Sequence, residues 1–74
     1  MRKAAIDSIC VYAEKTYKEY IVHYSSGRKR TFFDKFDLIP NWVIIYIRTG
    51  TIVSEKRNPY NNCVMAVYRD GLLP

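Results

Sequence analysis

Glu19-Tyr20-Ile21-Val22-His23-Tyr24-Ser25-Ser26-Gly27-Arg28-Lys29-Arg30-Thr31-Phe32-Phe33 is the stretch on which the fold turns. Tyr20, Val22 and Tyr24 alternate with Glu19, Ile21 and His23, the period of a strand with two different faces. Ser26-Gly27 punctuates the run, and Gly27 supplies a positive φ at little steric cost. Arg28 to Phe33 then resumes as a second strand, with a basic cluster set between aromatic residues. The stretch therefore reads as a β-hairpin carrying a positively charged, ring-bearing surface.

Working outward, Ile6 to Ala13 is a further strand, with Ile9, Val11 and Ala13 alternating with Ser8, Cys10 and Tyr12. Cross-strand register links the segments. With Ser26-Gly27 as a two-residue loop, Val22 opposes Thr31, Tyr20 opposes Phe33 and Ile21 opposes Phe32. With Lys15-Thr16 as the preceding loop, Val11 opposes Tyr20, Ile9 opposes Val22 and Tyr12 opposes Glu19. Opposed residues share a face. One face then holds Ile9, Val11, Ala13, Tyr20, Val22, Tyr24, Thr31 and Phe33, a core face. The other holds Ser8, Cys10, Tyr12, Glu19, Ile21, His23, Arg28, Arg30 and Phe32, a mixed basic and aromatic face.

Asp37 to Gly50 admits two readings. As a helix, it has Asp37 as a cap, Pro40 in the first turn and Gly50 just past the end. Trp42, Val43, Tyr46 and Ile47 then form one stripe facing the sheet. As strands, the β-branched Val43, Ile44, Ile45, Ile47 and Thr49 run to a turn at Thr49-Gly50 and into Thr51, Ile52 and Val53. The helix is favoured, because a strand apolar on both faces needs cover on both sides, which a chain this small supplies only by closing a barrel. Glu55 to Asn62 reads as a polar loop, and Cys63 to Arg69 as a last strand ended by Asp70-Gly71. The expected fold is α+β, a β-β-β-α-β antiparallel sheet with one short helix on one face. The alternative is a small SH3-like β-barrel.

Seventy-four residues make one small domain, residues 1–74. A chain of this size buries only about 60% of the surface its unfolded form exposes. Seven Tyr, three Phe and one Trp offset this with large buried area per residue. A homodimer would be a further supplement.

Composition removes several function classes. Two cysteines, Cys10 and Cys63, are too few for a disulfide framework, and each sits in an apolar run. A reducing cytoplasm is the expected setting. Asp7 and Glu14 interrupt the apolar run a signal peptide would need. Trp42 to Ile47 is too short to span a bilayer, and no membrane partner is expected. One His and two distant Cys do not form a structural zinc site, and no cofactor is implied. Cys10 lies diagonal to His23 in this register, a Cys–His pair with no evident orienting group or oxyanion donor. No phosphate-cradling glycine run or nucleophile-elbow motif is present. The chain is not expected to be an enzyme.

Binding remains. Twelve Lys and Arg against seven Asp and Glu give a net charge of +5. The expected surface comprises Tyr12, His23, Arg28, Lys29, Arg30 and Phe32, with a secondary basic patch at Lys56 and Arg57. Tyr and Arg anchor protein interfaces, and unpaired sheet edges can recruit a strand. The expected partner is a host protein that handles nucleic acid, blocked by direct contact. In size and character the chain has the style of accessory proteins of phages and mobile elements, some of which, the anti-CRISPR proteins among them, act that way; no motif carries the comparison. The alternative is direct binding of single-stranded DNA or RNA, with Arg forks on phosphates and rings on bases.

Overall fold

The structure, a computed structural model, describes residues 5–60 and 64–73. Strands β1 (Ile6–Ala13), β2 (Lys18–Tyr24) and β3 (Lys29–Phe33) precede helix α1 (Asn41–Thr49), and β4 (Thr51–Arg57) and β5 (Val64–Arg69) follow it. All pairings are antiparallel, and the five strands lie in the order β3-β2-β1-β5-β4. The fold is thus a small antiparallel sheet with one short helix, broadly α+β. The sheet ends in two edges, β3 and β4, and does not close into a barrel.

That order explains the helix. The chain leaves β3 at one edge and must re-enter as β4 at the other. Four inter-strand gaps make a crossing of about 19 Å. Nine helical residues cover about 13 Å of it, and Asp34 to Pro40 covers the rest. The expected stripe is the one that faces the sheet. Val43 and Tyr46 are buried, and Trp42 and Ile47 pack beside them. They close over Ile9, Tyr20, Val22 and Phe32, and Ile9, Val22 and Val43 have no exposed surface at all.

The β1–β2 register is as expected. Val11 pairs with Tyr20, Ile9 with Val22 and Tyr12 with Glu19, and the Glu14 N–H donates to the Tyr17 carbonyl across the Lys15-Thr16 loop. A bulge at Asp7 shifts the register beyond Ser8, so that Ile6 pairs with Tyr24 and packs against the core.

The β2–β3 register differs by one residue. Tyr20 pairs with Phe32, Val22 with Arg30 and Ile21 with Thr31. The loop is Ser25-Ser26-Gly27: the Gly27 N–H donates to the Tyr24 carbonyl and the Tyr24 N–H to the Arg28 carbonyl. A two-residue Ser-Gly turn of the primed type needs a positive φ at Ser26 as well. Only Gly27, at +92°, has one in this hairpin, so the turn takes an extra residue. Because the side-chain period is two, every residue of β3 changes face. Phe32 is 6% exposed in the core, Arg30 joins the helix side, and Lys29, Thr31 and Phe33 move to the open side.

Three further expectations fail. The order is β-β-β-α-β-β and not β-β-β-α-β, because Thr51–Arg57 forms an additional strand after the helix. Asp37 does not cap α1; Pro40 holds that position and no side chain caps it. Glu55 to Asn62 is not all loop, because Glu55, Lys56 and Arg57 belong to β4. An edge strand exposed on both sides needs no apolar alternation, and so carries no strand signal. Asn62 and Cys63, the expected loop end and strand start, lie outside the described residues.

Candidate functional site

The helix covers one face of the sheet and the other is left open. The pairings lay the open face out as rows across the strands. One row runs Phe33, Glu19, Tyr12, Met65, Lys56, and the next runs Thr31, Ile21, Cys10, Val67, Ser54. The third begins Lys29, His23, Ser8 and ends with Arg69 and Thr51 on β5 and β4. The centre is apolar: Ile21, Cys10 and Val67 sit side by side, with Met65 and Tyr12 against them. The outer strands supply cations, with Lys29 on β3, Lys56 on β4 and Arg69 at the end of β5.

The expected binding residues divide between the two faces. Tyr12, His23 and Lys29 share the open face, and Arg28 stands at the hairpin loop beside it. Arg30 and Phe32 are on the helix side, where the Arg30 guanidinium lies 4.7 Å over the Phe32 ring. Of the secondary patch, Lys56 faces the open side, and Arg57, paired with Val64, the helix side. Phe33 takes the place on the open face that the expected register gave to Phe32.

The bulge at Asp7 and the three-residue loop at Gly27 open a shallow depression of about 380 Å³ at one end of this face, lined by Asp7, Ser8, Cys10, His23, Arg28 and Val67 among others. It brings together the Cys–His pair noted in the sequence. The chemistry is that of a protonated thiol. Burial pushes the Cys10 thiol up and the Glu19 carboxylate adds to this, against a hydrogen bond with Tyr12. A raised thiol gives little thiolate at neutral pH. Asp7 is occupied elsewhere: one carboxylate oxygen accepts from the Ser8 hydroxyl at 3.3 Å and lies 3.6 Å from Arg69. Among the described residues no three His, Cys, Asp or Glu gather in a metal-binding group.

The edges are blunted. The Tyr24–Arg28 and Asp34–Lys18 bonds fix the hydrogen-bond phase of β3, so that Lys29, Thr31 and Phe33 turn their backbone groups outward. Phe33 is closed off by its own chain. Its N–H donates to Asp37 Oδ2 at 2.9 Å, and its carbonyl accepts from the N–H groups of Phe36 and Asp37. The carboxylate read as a helix cap is an edge cap. On β4 a bulge between Ile52 and Ser54 interrupts the ladder, and Lys56 and Arg57 charge the rest. Bulges and edge cations are devices that discourage strand addition.

Asp34 and Asp37 bracket a chain turn, as their spacing suggests, with Asp34 ending the strand: Asp34 Oδ1 accepts from the Lys18 N–H at 2.8 Å, opposite the Asp37 bond just described. What sequence reading missed is the exposed corner this turn presents. The turn holds Phe36 78% exposed, and Leu38 beyond it is 95% exposed. Phe33 joins the open face to this corner, its ring 6.1 Å from Tyr17 and 6.4 Å from Phe36. Isolated apolar residues in a loop read as ordinary core contributors, so only the exposure identifies them. Compared with known protein families, curated proteins and solved structures, the chain matches none.

Proposed function

We propose that this chain is a non-enzymatic binding protein that docks onto another protein through the open face of its sheet. The observation that carries this reading is the apolar row Ile21, Cys10, Val67 on the uncovered face, bordered by Tyr12, Phe33, His23, Lys29 and Lys56. A solvated antiparallel face ordinarily reads polar. An apolar centre with a polar, charged rim is the anatomy of a protein interface. The blunted edges support a contact through faces over strand addition. The basic rim suits an acidic partner surface, such as the nucleic-acid-handling site of a host protein, and the mode of action would be occlusion, as in anti-CRISPR proteins.

Direct nucleic-acid binding fits less well. A stacking platform sets rings where successive bases reach them, with cations on the backbone. Here Glu19 stands between Phe33 and Tyr12, and Arg30 and Phe32 face the other way. The test is fluorescence anisotropy with labelled single-stranded DNA, duplex DNA and RNA at about 150 mM salt, beside affinity capture from host lysate. The expected result is no nucleic-acid binding, with a captured protein that a His23→Ala/Lys29→Glu variant loses and an Arg48→Glu variant keeps. Micromolar nucleic-acid binding abolished by His23→Ala/Lys29→Glu would replace this reading with the nucleic-acid one.

A further inference from the structure

At the bulged end of the open face a concavity and an unmatched charge coincide. The depression there holds about 380 Å³, at the lower end of ligand-pocket volumes. Its bottom is neutral: Ser8 and Cys10 are buried in its lining, Val67 is half-buried, and burial keeps the Cys10 thiol protonated. Charge enters from the rim, where Asp7 comes from the β1 bulge, His23 from β2 and Arg28 from the hairpin loop. The Asp7 carboxylate is matched, since Oδ2 lies 3.6 Å from the Arg69 guanidinium and accepts from the Ser8 hydroxyl. Arg28 has no ion-pair partner among the described residues, and Lys29, paired with His23, follows it on β3. Asp70 comes after Arg69 but is not in the lining. Even with Asp70 counted, Arg28, Lys29 and Arg69 outnumber Asp7 and Asp70, before His23 is added. Glu19 lies four residues from His23 along β2, about 13 Å away and beyond the Debye length of about 8 Å at physiological salt.

We propose that this depression is a socket for one acidic side chain of the partner protein, a Glu or Asp whose carboxylate meets Arg28 and His23 while its methylenes rest on Cys10 and Val67. The socket rests on the open face as the docking surface and adds the point at which the partner's charge enters it. The guanidinium fork of Arg28 suits a carboxylate, which it can hold with two parallel hydrogen bonds. Phosphate shares that fork, but Asp7 on the rim separates the two. A phosphomonoester carries about −1.5 to −2 charge at neutral pH, so repulsion from Asp7 falls harder on it than on a carboxylate. A phosphodiester within a nucleic-acid strand has a sugar on each side and enters a small depression less readily than a free side-chain end. The neutral bottom suits the aliphatic part of the same side chain.

The experiment is an NMR titration of the isotope-labelled full chain with three probes: N-acetyl-glutamate N-methylamide, its glutamine counterpart and its phosphoserine counterpart. The glutamate probe is expected to shift the amide signals of Ser8, His23 and Arg28 with a Kd on the order of 1 mM, the range open to a fragment of about fourteen non-hydrogen atoms. The glutamine and phosphoserine probes are expected to bind more weakly, glutamine by about tenfold, the worth of a hydrogen bond to a charged group. Arg28→Gln is expected to weaken glutamate binding by a similar factor. Arg28 is exposed, so the signals of the core residues should stay in place. Asp7→Asn is expected to raise the affinity for phosphoserine more than that for glutamate. No glutamate-induced shift at these amides overturns the inference. So does equal binding of the glutamine probe, or tighter binding of phosphoserine than of glutamate by wild type. Partner capture keeps the two readings apart. A silent socket beside a partner lost with His23→Ala/Lys29→Glu refutes the socket alone, whereas a working socket with no captured partner refutes docking and leaves an acid-binding site.

Discussion

Replacing Phe32 by alanine and, separately, Phe33 by alanine discriminates between the two registers of the β2–β3 hairpin. In the observed register Phe32 is 6% exposed and belongs to the cluster of Ile9, Tyr20, Val22, Val43 and Tyr46. Truncating a buried Phe costs about 3–5 kcal/mol, combining lost transfer energy with the cavity left behind. A chain of this length has only about 4–11 kcal/mol of total stability, so Phe32→Ala should remove much of it. Phe33 is half-buried, with ring contacts at 6.1 and 6.4 Å to Tyr17 and Phe36. Such pairs are worth about 0.5–1.5 kcal/mol each beyond area burial, but the ring lies outside the core cluster, so Phe33→Ala should cost about 1–2 kcal/mol. The assay is urea unfolding followed by far-ultraviolet circular dichroism. At about 4–8 °C per kcal/mol, a difference of about 2–3 kcal/mol should also separate the two variants by roughly 8–24 °C in melting temperature. If Phe33→Ala proves the more destabilising, the two-residue turn is correct and the faces of β3 must be exchanged.

Four further outcomes are expected. Gly50→Ala should destabilise by about 1–3 kcal/mol, because a Cβ there would lie 2.8 Å from the Tyr46 carbonyl oxygen and 2.9 Å from that of Arg69; thermal melting checks it, and a neutral or stabilised variant would mean that the helix end and β5 are not so close. Tyr46→Phe should be neutral or stabilising in the same assay, since the buried Tyr46 hydroxyl has no hydrogen-bond partner and an unsatisfied buried group costs about 1–3 kcal/mol. Val22→Asp should abolish the cooperative transition, because it places an unpaired charge at a site with no exposed surface; native-like spectra would contradict the core assignment. Alkaline pH should destabilise the fold: burial raises the Cys10 thiol and the Tyr20 hydroxyl, so above about pH 9 the unfolded chain holds fewer protons and stability falls with rising pH. A pH series of urea midpoints that stays flat above neutrality would refute this.

How far the fold was legible depended on where the deciding chemistry lay. The β1–β2 pairing follows from local facts, a two-residue loop and the matching faces of Ile9, Val11, Tyr20 and Val22. Tyr12 and His23 could be placed on one face for that reason, whereas Lys29 reaches it only through the β2–β3 register. The β2–β3 pairing turned on a choice between turn types that Ser26-Gly27 permits equally by composition. One residue of difference moved Arg30 and Phe32 off the site and Phe33 onto it. The helix stripe was readable because tertiary cover on one face leaves a 3.6-residue period. β4 was not, because Ser54, Glu55, Lys56 and Arg57 pair with β5 at an edge where neither face is covered. Asp37 shows the limit of capping rules. An Asp a few residues before a helix is also an Asp a few residues after a strand, and here the outward N–H of Phe33 is the donor it meets.

An uncovered face is not in itself a functional signal in this architecture. One helix must carry the chain from β3 to β4, and a helix that crosses one face cannot cover the other. What needs explanation is the composition of the uncovered side. If Ile21 and Val67 were there only to stabilise the sheet, they would act as a second core, and Ile21→Thr/Val67→Thr would cost as much as truncation in the first. Both are half-buried, and no element among the described residues packs above them, so the double change should cost about 1–2 kcal/mol, near the lower end for methyl deletions at buried sites. Threonine keeps the β-branched shape that strands favour, so the register should survive. The expected variant therefore melts within about 10 °C of wild type yet loses the partner that wild type captures. A melting temperature lowered far beyond that would make the row a structural layer, and the interface would have to be sought at the aromatic corner of Phe33 and Phe36.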